Sequence, residues 1–139
     1  MEQKTESNLK WLGKLSRDYH KELDLELAPL RLNATNYYFI MKIHDHGGLP
    51  QEKLIILTGL NGSNVTRTTQ KLIDLGFVLK EKNDHDRRGF LLELTEEGNA
   101  VYAEIIESVA RAQSKFLSLL TSAEQETFEK LLGKLAESE

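Results

Sequence analysis

The sequence predicts a mainly α-helical fold with one small β-hairpin, formed as a single domain over residues 1–139. Apolar residues recur at steps of three and four through most of the chain, which is typical of amphipathic helices. Two short apolar runs, 77–82 and 90–94, have the length of strands and flank a polar, charged stretch, which predicts a hairpin. Glycines at 47–48, 59 and 76 stand where the helical patterns stop.

The first half of the chain predicts four helices. The first runs from about Leu9 to Leu23 and fades before Pro29, because proline interrupts a helical pattern. The second begins near Asn33, a residue type that caps helix N-termini, and ends at Gly47-Gly48. A short helix over 51–58 and a turn at Gly59 follow. A longer helix then begins after Asn61, a second capping residue, and stops at Gly76.

The second half predicts the hairpin and two further helices. Residues 83–89 form the polar tip of the hairpin. Thr95 begins a long helix, and Thr121 to Glu124 form a capping box that opens the last one. We expect four large side chains of this last helix to face inward: Phe128, Leu131, Leu132 and Leu135.

This order of elements predicts a winged helix-turn-helix. Two short helices across a glycine turn, followed by a hairpin, describe that motif, and we assign it to residues 33–94. The terminal segments, 5–28 and 95–137, are leucine-rich, and their apolar faces exceed what so small a lobe can cover. We therefore expect these segments to be dimerisation helices of a homodimer.

Charge and composition exclude several classes of protein. The net charge is −4, but 61–90 holds six basic and four acidic residues, whereas 91–139 holds four basic and ten acidic ones. The chain has no cysteine, which excludes disulfides and thiol-based redox sensing. No run approaches the ~20 apolar residues of a membrane span, and the N-terminus lacks the apolar core of a signal peptide. We expect a cytoplasmic protein with no membrane partner.

The helix after Asn61 has two faces at 100° per residue. One carries Val65 and Leu72 and is predicted to be buried. The other carries hydroxyl, guanidinium and amide groups, the types that form hydrogen bonds with base edges in a DNA major groove. The alternative is an ordinary solvated helix face, but the glycine turn before it and the basic hairpin after it favour DNA. The predicted DNA-binding residues of this helix are Ser63, Asn64, Thr66, Arg67, Gln70 and Lys71.

Three blocks of sequence resemble the MarR (multiple antibiotic resistance regulator) family. Residues 54–67 are similar to its helix-turn-helix, and 72–78 resemble the exit from its recognition helix. The run 84–88, followed by 92–98, resembles its wing and the start of its long helix. The resemblance implies a homodimer that binds a pseudo-palindromic double-stranded DNA operator. It also implies that Asp86 orients Arg88 into the minor groove beside Arg87, where a narrow groove attracts guanidinium. The alternative for Asp86 and Arg88 is a surface ion pair of little worth.

The resemblance also implies regulation by a small effector, commonly aromatic or acidic. A pocket for it can be lined by Trp11, Tyr19, Tyr37, Tyr38 and Met41. The alternative is that these side chains pack in the core, as most aromatic residues at helical spacing do.

His44 and His46 raise the question of metal binding. Residues two apart on a helix point to different faces, so we predict no metal site, although the sequence leaves zinc sensing open.

The other functional classes have less support. No phosphate-binding glycine loop, nucleophile elbow or zinc-protease motif occurs, so we expect no enzyme and no cofactor. Two alternatives remain: a winged-helix protein-interaction module that does not bind DNA, and a metal-responsive regulator. We favour a ligand-responsive repressor.

Overall fold

The computed structural model describes residues 7–82 and 89–137. The elements follow the predicted order, with short 3₁₀ turns at Asn8–Trp11 and Ala28–Leu30. The helices are α1 (Leu12–Leu27), α2 (Tyr37–Asp45), α3 (Gln51–Thr58), α4 (Gly62–Asp74), α5 (Glu96–Phe116) and α6 (Ser122–Glu137). The strands are β1 (Leu49–Pro50), β2 (Val78–Lys82) and β3 (Phe90–Leu94).

The second helix begins later than the sequence predicts. Asn33 and Asn36 each accept a hydrogen bond from the other's backbone N–H, at 2.9 and 2.8 Å. This reciprocal pairing closes a turn over residues 34–36, and the helix begins only at Tyr37. Asn33 therefore caps a turn that leads into the helix, because its partner lies three residues ahead, as in a capping box.

The sheet contains one strand that the sequence did not predict. The strand order in the sheet is β1-β3-β2, with all neighbours antiparallel. The unpredicted strand is β1, whose Leu49 is in register with Leu92 of β3. Gly47 and Gly48 adopt positive φ angles of 63° and 102°, which turn the chain from α2 into extended backbone. A two-residue strand that contains proline carries too little pattern to be recognised without its partner.

The helix-turn-helix corner forms as predicted. Gly59 has a φ of 71°, and its N–H donates to the Ile55 carbonyl, which ends α3. Asn61 caps α4, since its Oδ1 accepts from the Asn64 N–H at 2.8 Å. These two local devices set where α4 begins relative to α3.

The core connects the central lobe to the long helices. Side chains from every helix of the lobe and from the sheet are almost fully buried, including Phe39, Leu54, Val65, Leu72 and Leu92. The same cluster continues into Leu23 and Leu27 of α1 and into Val101, Ile105 and Ala112 of α5. Burial of apolar side chains is the main source of stability, so α1 and α5 hold the lobe in place.

The prediction that the last helix turns its large apolar side chains inward is wrong within the chain. Leu131, Leu132 and Leu135 are 54, 44 and 74% exposed, and Phe128 is half-buried. No residue of α6 whose side chain the structure describes is buried. The helix has the apolar stripe that was predicted, but the described part of this chain covers it only in part, at Phe128.

No helix among the described residues is both long and apolar enough to cross a membrane.

Gly98, in the first turn of α5, lies against the end of the lobe. An added Cβ would stand 2.1 Å from the Phe77 carbonyl oxygen, which itself accepts a hydrogen bond from the Thr95 N–H. Backbone cannot move aside as a flexible side chain can, so only glycine allows this approach.

We therefore expect Gly98→Ala to lower the free energy of unfolding by about 1–3 kcal/mol, because the new methyl group overpacks the contact. Urea unfolding followed by circular dichroism measures this. The control is Gly62→Ala, where the methyl group meets only Ile55 Cδ1 at 3.7 Å. Equal effects of the two substitutions would contradict the explanation.

Glu26 links α1 to α5 through two cations. Arg111 Nε and Lys115 Nζ each lie 2.8 Å from one of its carboxylate oxygens, and the Glu26 side chain is only 14% exposed. The hydrogen bonds from Arg111 and Lys115 lower the pKa of Glu26.

A lowered carboxyl pKa contributes stability above the ordinary pKa of glutamate, and this stability is lost as pH falls through the lowered value. Glu26→Gln should therefore lower the melting temperature at about pH 7 and have little effect at about pH 2, where the carboxyl is protonated. Thermal unfolding at the two pH values measures this. The control is Glu107→Gln, which removes an exposed carboxylate of α5 and should leave the melting temperature unchanged at both pH values. An equal loss at both pH values would assign the effect of Glu26 to packing rather than to charge.

Candidate DNA-binding surface

Helix α4 separates its polar and apolar side chains onto opposite faces. Val65, Thr69 and Leu72 are buried against the lobe. The structure places Ser63, Thr66, Arg67, Gln70 and Lys71 on the exposed face, with Asn64 half-buried at its edge. The face predicted to meet DNA is therefore free in the single chain, and its contact with DNA stays a prediction.

Arg67 is held by a short hydrogen-bond chain. Its Nη2 donates to Asn64 Oδ1 at 2.8 Å, and the Asn64 N–H donates to the capping Asn61. Arg67 and Asn64 also line a cavity of about 300 Å³ beside Thr35 at the N-terminal end of α2. The guanidinium is thus directed by a neighbour that is itself tied to the helix cap, which reduces the rotamer entropy lost on binding.

Gln70 is oriented in the same way. Its Nε2 donates to Asp74 Oδ1 at 2.9 Å, one helical turn further on. This bond uses one amide hydrogen and leaves Oε1 and the second N–H available. Such a pair, one acceptor beside one donor, matches the N6 and N7 atoms of adenine.

The N-terminus of α4 presents free backbone donors. Among the described residues, the N–H groups of Gly62 and Ser63 have no acceptor, because the first residues of a helix lack intrahelical partners. Such groups form a ready site for an anionic oxygen such as that of a phosphate.

Sequence reasoning missed Gln51. Its Nε2 donates to Thr66 Oγ1 at 3.2 Å, across the corner between α3 and α4. The two residues are fifteen positions apart on different helices, so no local pattern indicates the contact. The only sequence signal is a long amide side chain directly after Pro50, at the first position of a short helix.

The wing strands carry two further cations that the sequence analysis did not select. Lys80 Nζ lies 4.2 Å from the ring centroid of Phe90, within the range of a cation–π contact. Lys82 is paired in register with Phe90 on the neighbouring strand. Residues 83–88, which include the predicted Asp86, Arg87 and Arg88, lie outside the described residues.

Of the residues predicted to line an effector pocket, Tyr19 lies at a cavity. It contacts Phe116, with 5.1 Å between ring centroids, at an apolar space of about 270 Å³ between α1, α5 and α6. Trp11 is 47% exposed near the start of α1 and does not line this space.

The other three residues of that prediction lie on α2. Tyr37 and Tyr38 pack edge to face with 6.4 Å between centroids, while Tyr37 and Met41 pack against the core. Burial raises the pKa of Tyr37, so its hydroxyl stays protonated at neutral pH. The structure thus brings Tyr37, Tyr38 and Met41 together on one helix but does not place them around the cavity at Tyr19.

The two histidines have separate surroundings. The His44 ring stacks on Tyr102 of α5 with 3.5 Å between centroids, and His46 Nδ1 lies 2.9 Å from the Lys42 carbonyl of its own helix. In the part of the chain that the structure describes, no three His, Asp or Glu side chains are grouped so that they could hold a metal ion.

Comparison with known proteins identifies the family. The model of the MarR family matches residues 32–90. Two Bacillus subtilis (strain 168) proteins, named as uncharacterized HTH-type transcriptional regulators, are similar. YwhA is 26% identical over 117 residues, 84% of each chain, and YybA is 27% identical over 127 residues, 91% of this chain and 85% of YybA.

Solved structures of similar fold confirm the winged helix architecture. A MarR protein from Peptoclostridium difficile is 30% identical, with a TM-score of 0.84 over 99% of this chain and 91% of that one. A cysteine-to-serine mutant of E. coli MarR, solved in complex with operator DNA, is 24% identical, with a TM-score of 0.82 over 91% of both chains.

The family and the named relatives are transcriptional regulators rather than enzymes. The glycine corner between α3 and α4, the exposed polar stripe of α4 and the three-stranded sheet give this chain the arrangement of a winged helix-turn-helix. This chain is 30% identical to the Peptoclostridium difficile MarR protein and covers 91% of that protein's length. The chain therefore belongs to the MarR family of transcriptional regulators.

Proposed function

We propose that this regulator binds a pseudo-palindromic double-stranded DNA operator as a homodimer and acts as a ligand-responsive repressor. In this proposal residues 33–94 form the DNA-binding lobe, and residues 5–28 and 95–137 form the dimerisation helices. The observation that carries it is the exposed stripe on α4, whose side chains are oriented by bonds to their neighbours. The proposal includes a cytoplasmic location, where such a regulator would meet its DNA.

The chemistry of the stripe suits a major groove. Helix α4 has 13 residues, about 20 Å of helix at 1.5 Å per residue, and a major groove admits a helix. Arg67 offers paired donors that suit O6 and N7 of guanine, and Gln70 suits adenine. The free N–H groups of Gly62 and Ser63 suit a phosphate. Ser63, Asn64, Thr66 and Lys71 complete this surface, and Asp86, Arg87 and Arg88 of the wing are proposed to meet the adjacent minor groove.

The E. coli MarR mutant that was solved with operator DNA supports this choice of partner, since its fold matches this chain. A rival interpretation is a winged-helix module that binds only protein. That interpretation gives no reason for guanidinium and amide groups to be oriented on the face that would enter a groove.

The homodimer is supported by apolar side chains that this chain leaves uncovered. Leu12 of α1 is 58% exposed, and Leu132 and Leu135 of α6 are 44 and 74% exposed. Leu12 and Leu132 border the same open cavity, so one partner surface can cover both. A second copy related by a twofold axis would present a second α4, which explains why the operator would be pseudo-palindromic.

The proposed effector site is the cavity between α1, α5 and α6. The cavity at Tyr19 is apolar and open in the single chain, and a second subunit that covers α6 would close it further. A small aromatic or acidic molecule bound there would contact α1, α5 and α6 and would alter the spacing of the two α4 helices. Trp11, Tyr37, Tyr38 and Met41 remain candidates for contact with the effector.

Arg67→Ala should weaken binding to an operator selected from a random DNA pool by about 1–3 kcal/mol, since it removes a guanidinium from the groove. It should also relax the sequence preference at one position of each half-site. Fluorescence anisotropy with labelled duplex measures both effects. The charge-matched control, Arg17→Ala, removes an exposed arginine of α1, away from α4, and should leave affinity unchanged at protein concentrations where sedimentation shows both variants to be dimers. Unchanged affinity for Arg67→Ala would favour the protein-binding module.

Leu132→Asp should weaken the homodimer by about 100-fold or more, because it buries an unpaired charge in an apolar interface. Sedimentation velocity over a range of concentrations measures the shift to monomer. Ile56→Asp is the control, because Ile56 is 80% exposed on α3, away from the proposed interface. A wild-type protein that sediments as a monomer would refute the dimer.

A further inference from the structure

Gln51 and Thr66 form a hydrogen bond whose direction matters. Gln51 Nε2 donates and Thr66 Oγ1 accepts, at 3.2 Å. Thr66 lies on the exposed face of α4, whereas Gln51 is half-buried at the first position of α3. Gln51 is also anchored from behind, because the preceding Pro50 is paired with Leu91 of the sheet. The donor is therefore on the rigid side of the contact.

The proton of Thr66 has no acceptor within the described part of the chain. Helical threonines commonly donate this proton to the carbonyl four residues back, and both Thr58 and Thr127 do so here. Thr66 makes no such bond and is recorded only as an acceptor. Its hydroxyl has used a lone pair on Gln51 and retains its O–H as a donor.

The orientation of the Gln51 amide follows from burial. Its Oε1 is buried and has no partner among the described residues. If the positions of Oε1 and Nε2 of Gln51 were exchanged, the buried position would hold an NH₂ group with two unpaired N–H donors. Buried N–H groups without acceptors are rarer than under-satisfied carbonyls, so the observed direction is the favourable one.

We propose that Gln51 is a positioning residue that makes the Thr66 hydroxyl a dedicated hydrogen-bond donor toward DNA. This inference rests on the proposed DNA-binding function and adds a specificity element to it. With one of its two lone pairs engaged by Gln51, Thr66 has a free O–H and a reduced acceptor capacity, which favours an acceptor on DNA: a phosphate oxygen, or O6, N7 or O4 of a base. The amino groups of adenine and cytosine, which need an acceptor, suit it less well.

The sharpest test reverses the hydrogen bond without removing it. In Gln51→Glu the carboxylate at position 51 can only accept a hydrogen bond, so Thr66 must donate its proton to that carboxylate. The hydrogen bond between α3 and α4 then remains, but Thr66 no longer has a proton to donate to DNA. The added charge also repels DNA, and the same substitution in the Thr66→Val background measures that repulsion alone. These proteins form a double-mutant cycle: the wild type, the two single variants and the double variant. Affinity for the selected operator and a melting temperature are measured for each of the four.

We expect Gln51→Glu to weaken binding about three- to tenfold more in the wild-type background than beside Thr66→Val. Gln51→Met, which removes the donor without adding charge, should show the same non-additivity. Thr66→Ser keeps the hydroxyl and should preserve the coupling. Additive effects in both cycles would overturn the inference. If a Gln51 variant fails to fold, Thr66→Val and the modified DNA described next still test it.

Modified DNA identifies the acceptor. Methylphosphonate substitution at one position of each half-site should weaken wild-type binding more than Thr66→Val binding if the acceptor is a phosphate. Replacement of guanine or adenine by its 7-deaza analogue, or of thymine by 4-thiothymine, should do so if the acceptor is a base. Absence of any such position would overturn the inference. If Arg67→Ala also leaves affinity unchanged, the proposed function itself fails; if only the Gln51 and Thr66 effects are absent, DNA binding stands and this inference does not.

Discussion

Burial of one face of α4 is the constraint on which the functional surface depends. Val65 and Leu72 are completely buried, and Thr69 lies between them at the helical repeat. A rotation of α4 about its axis would expose these apolar side chains to water and bury the polar stripe. Such a rotation is unfavourable, because burial of apolar area stabilises the fold. The direction of Arg67 and Gln70 is therefore a consequence of the core rather than of the surface. Glycine and asparagine at the corner then set only where the helix starts.

The polar stripe is organised in the absence of DNA. Arg67, Gln70 and Thr66 each have a hydrogen-bond partner, and those partners lie behind or beside the stripe. Each bond leaves some donors or acceptors free and reduces the rotamer entropy that binding would cost. A regulator must distinguish its operator from many similar sites, and discrimination improves when the free donors and acceptors have fixed positions.

The lobe and the last helix differ in how far their apolar side chains are buried within this chain. The lobe buries its own apolar side chains and contacts α5 closely where Gly98 lies against Phe77, while Glu26 with its two cations joins α1 to α5. Helix α6 has an apolar stripe but little to cover it in this chain. The lobe can thus be complete in one chain, while the terminal helices leave apolar surface exposed. In the proposed homodimer, this division would allow the spacing of the two lobes to change without disturbing the fold of either.

Local sequence alone determined the ends of helices that have a capping residue, such as the starts of α4 at Asn61 and α5 at Thr95, and the two faces of α4, because caps and the 3.6-residue repeat act over only a few residues. The tertiary structure decided what depends on distant partners. The two-residue strand at Leu49 exists only because β3 lies beside it, and the leucines of α6 stay exposed because the described part of this chain covers that helix only around the cavity that it shares with α1 and α5. The bond between Gln51 and Thr66 likewise arises only once two helices meet at a particular angle, and a linear pattern holds no information about that angle.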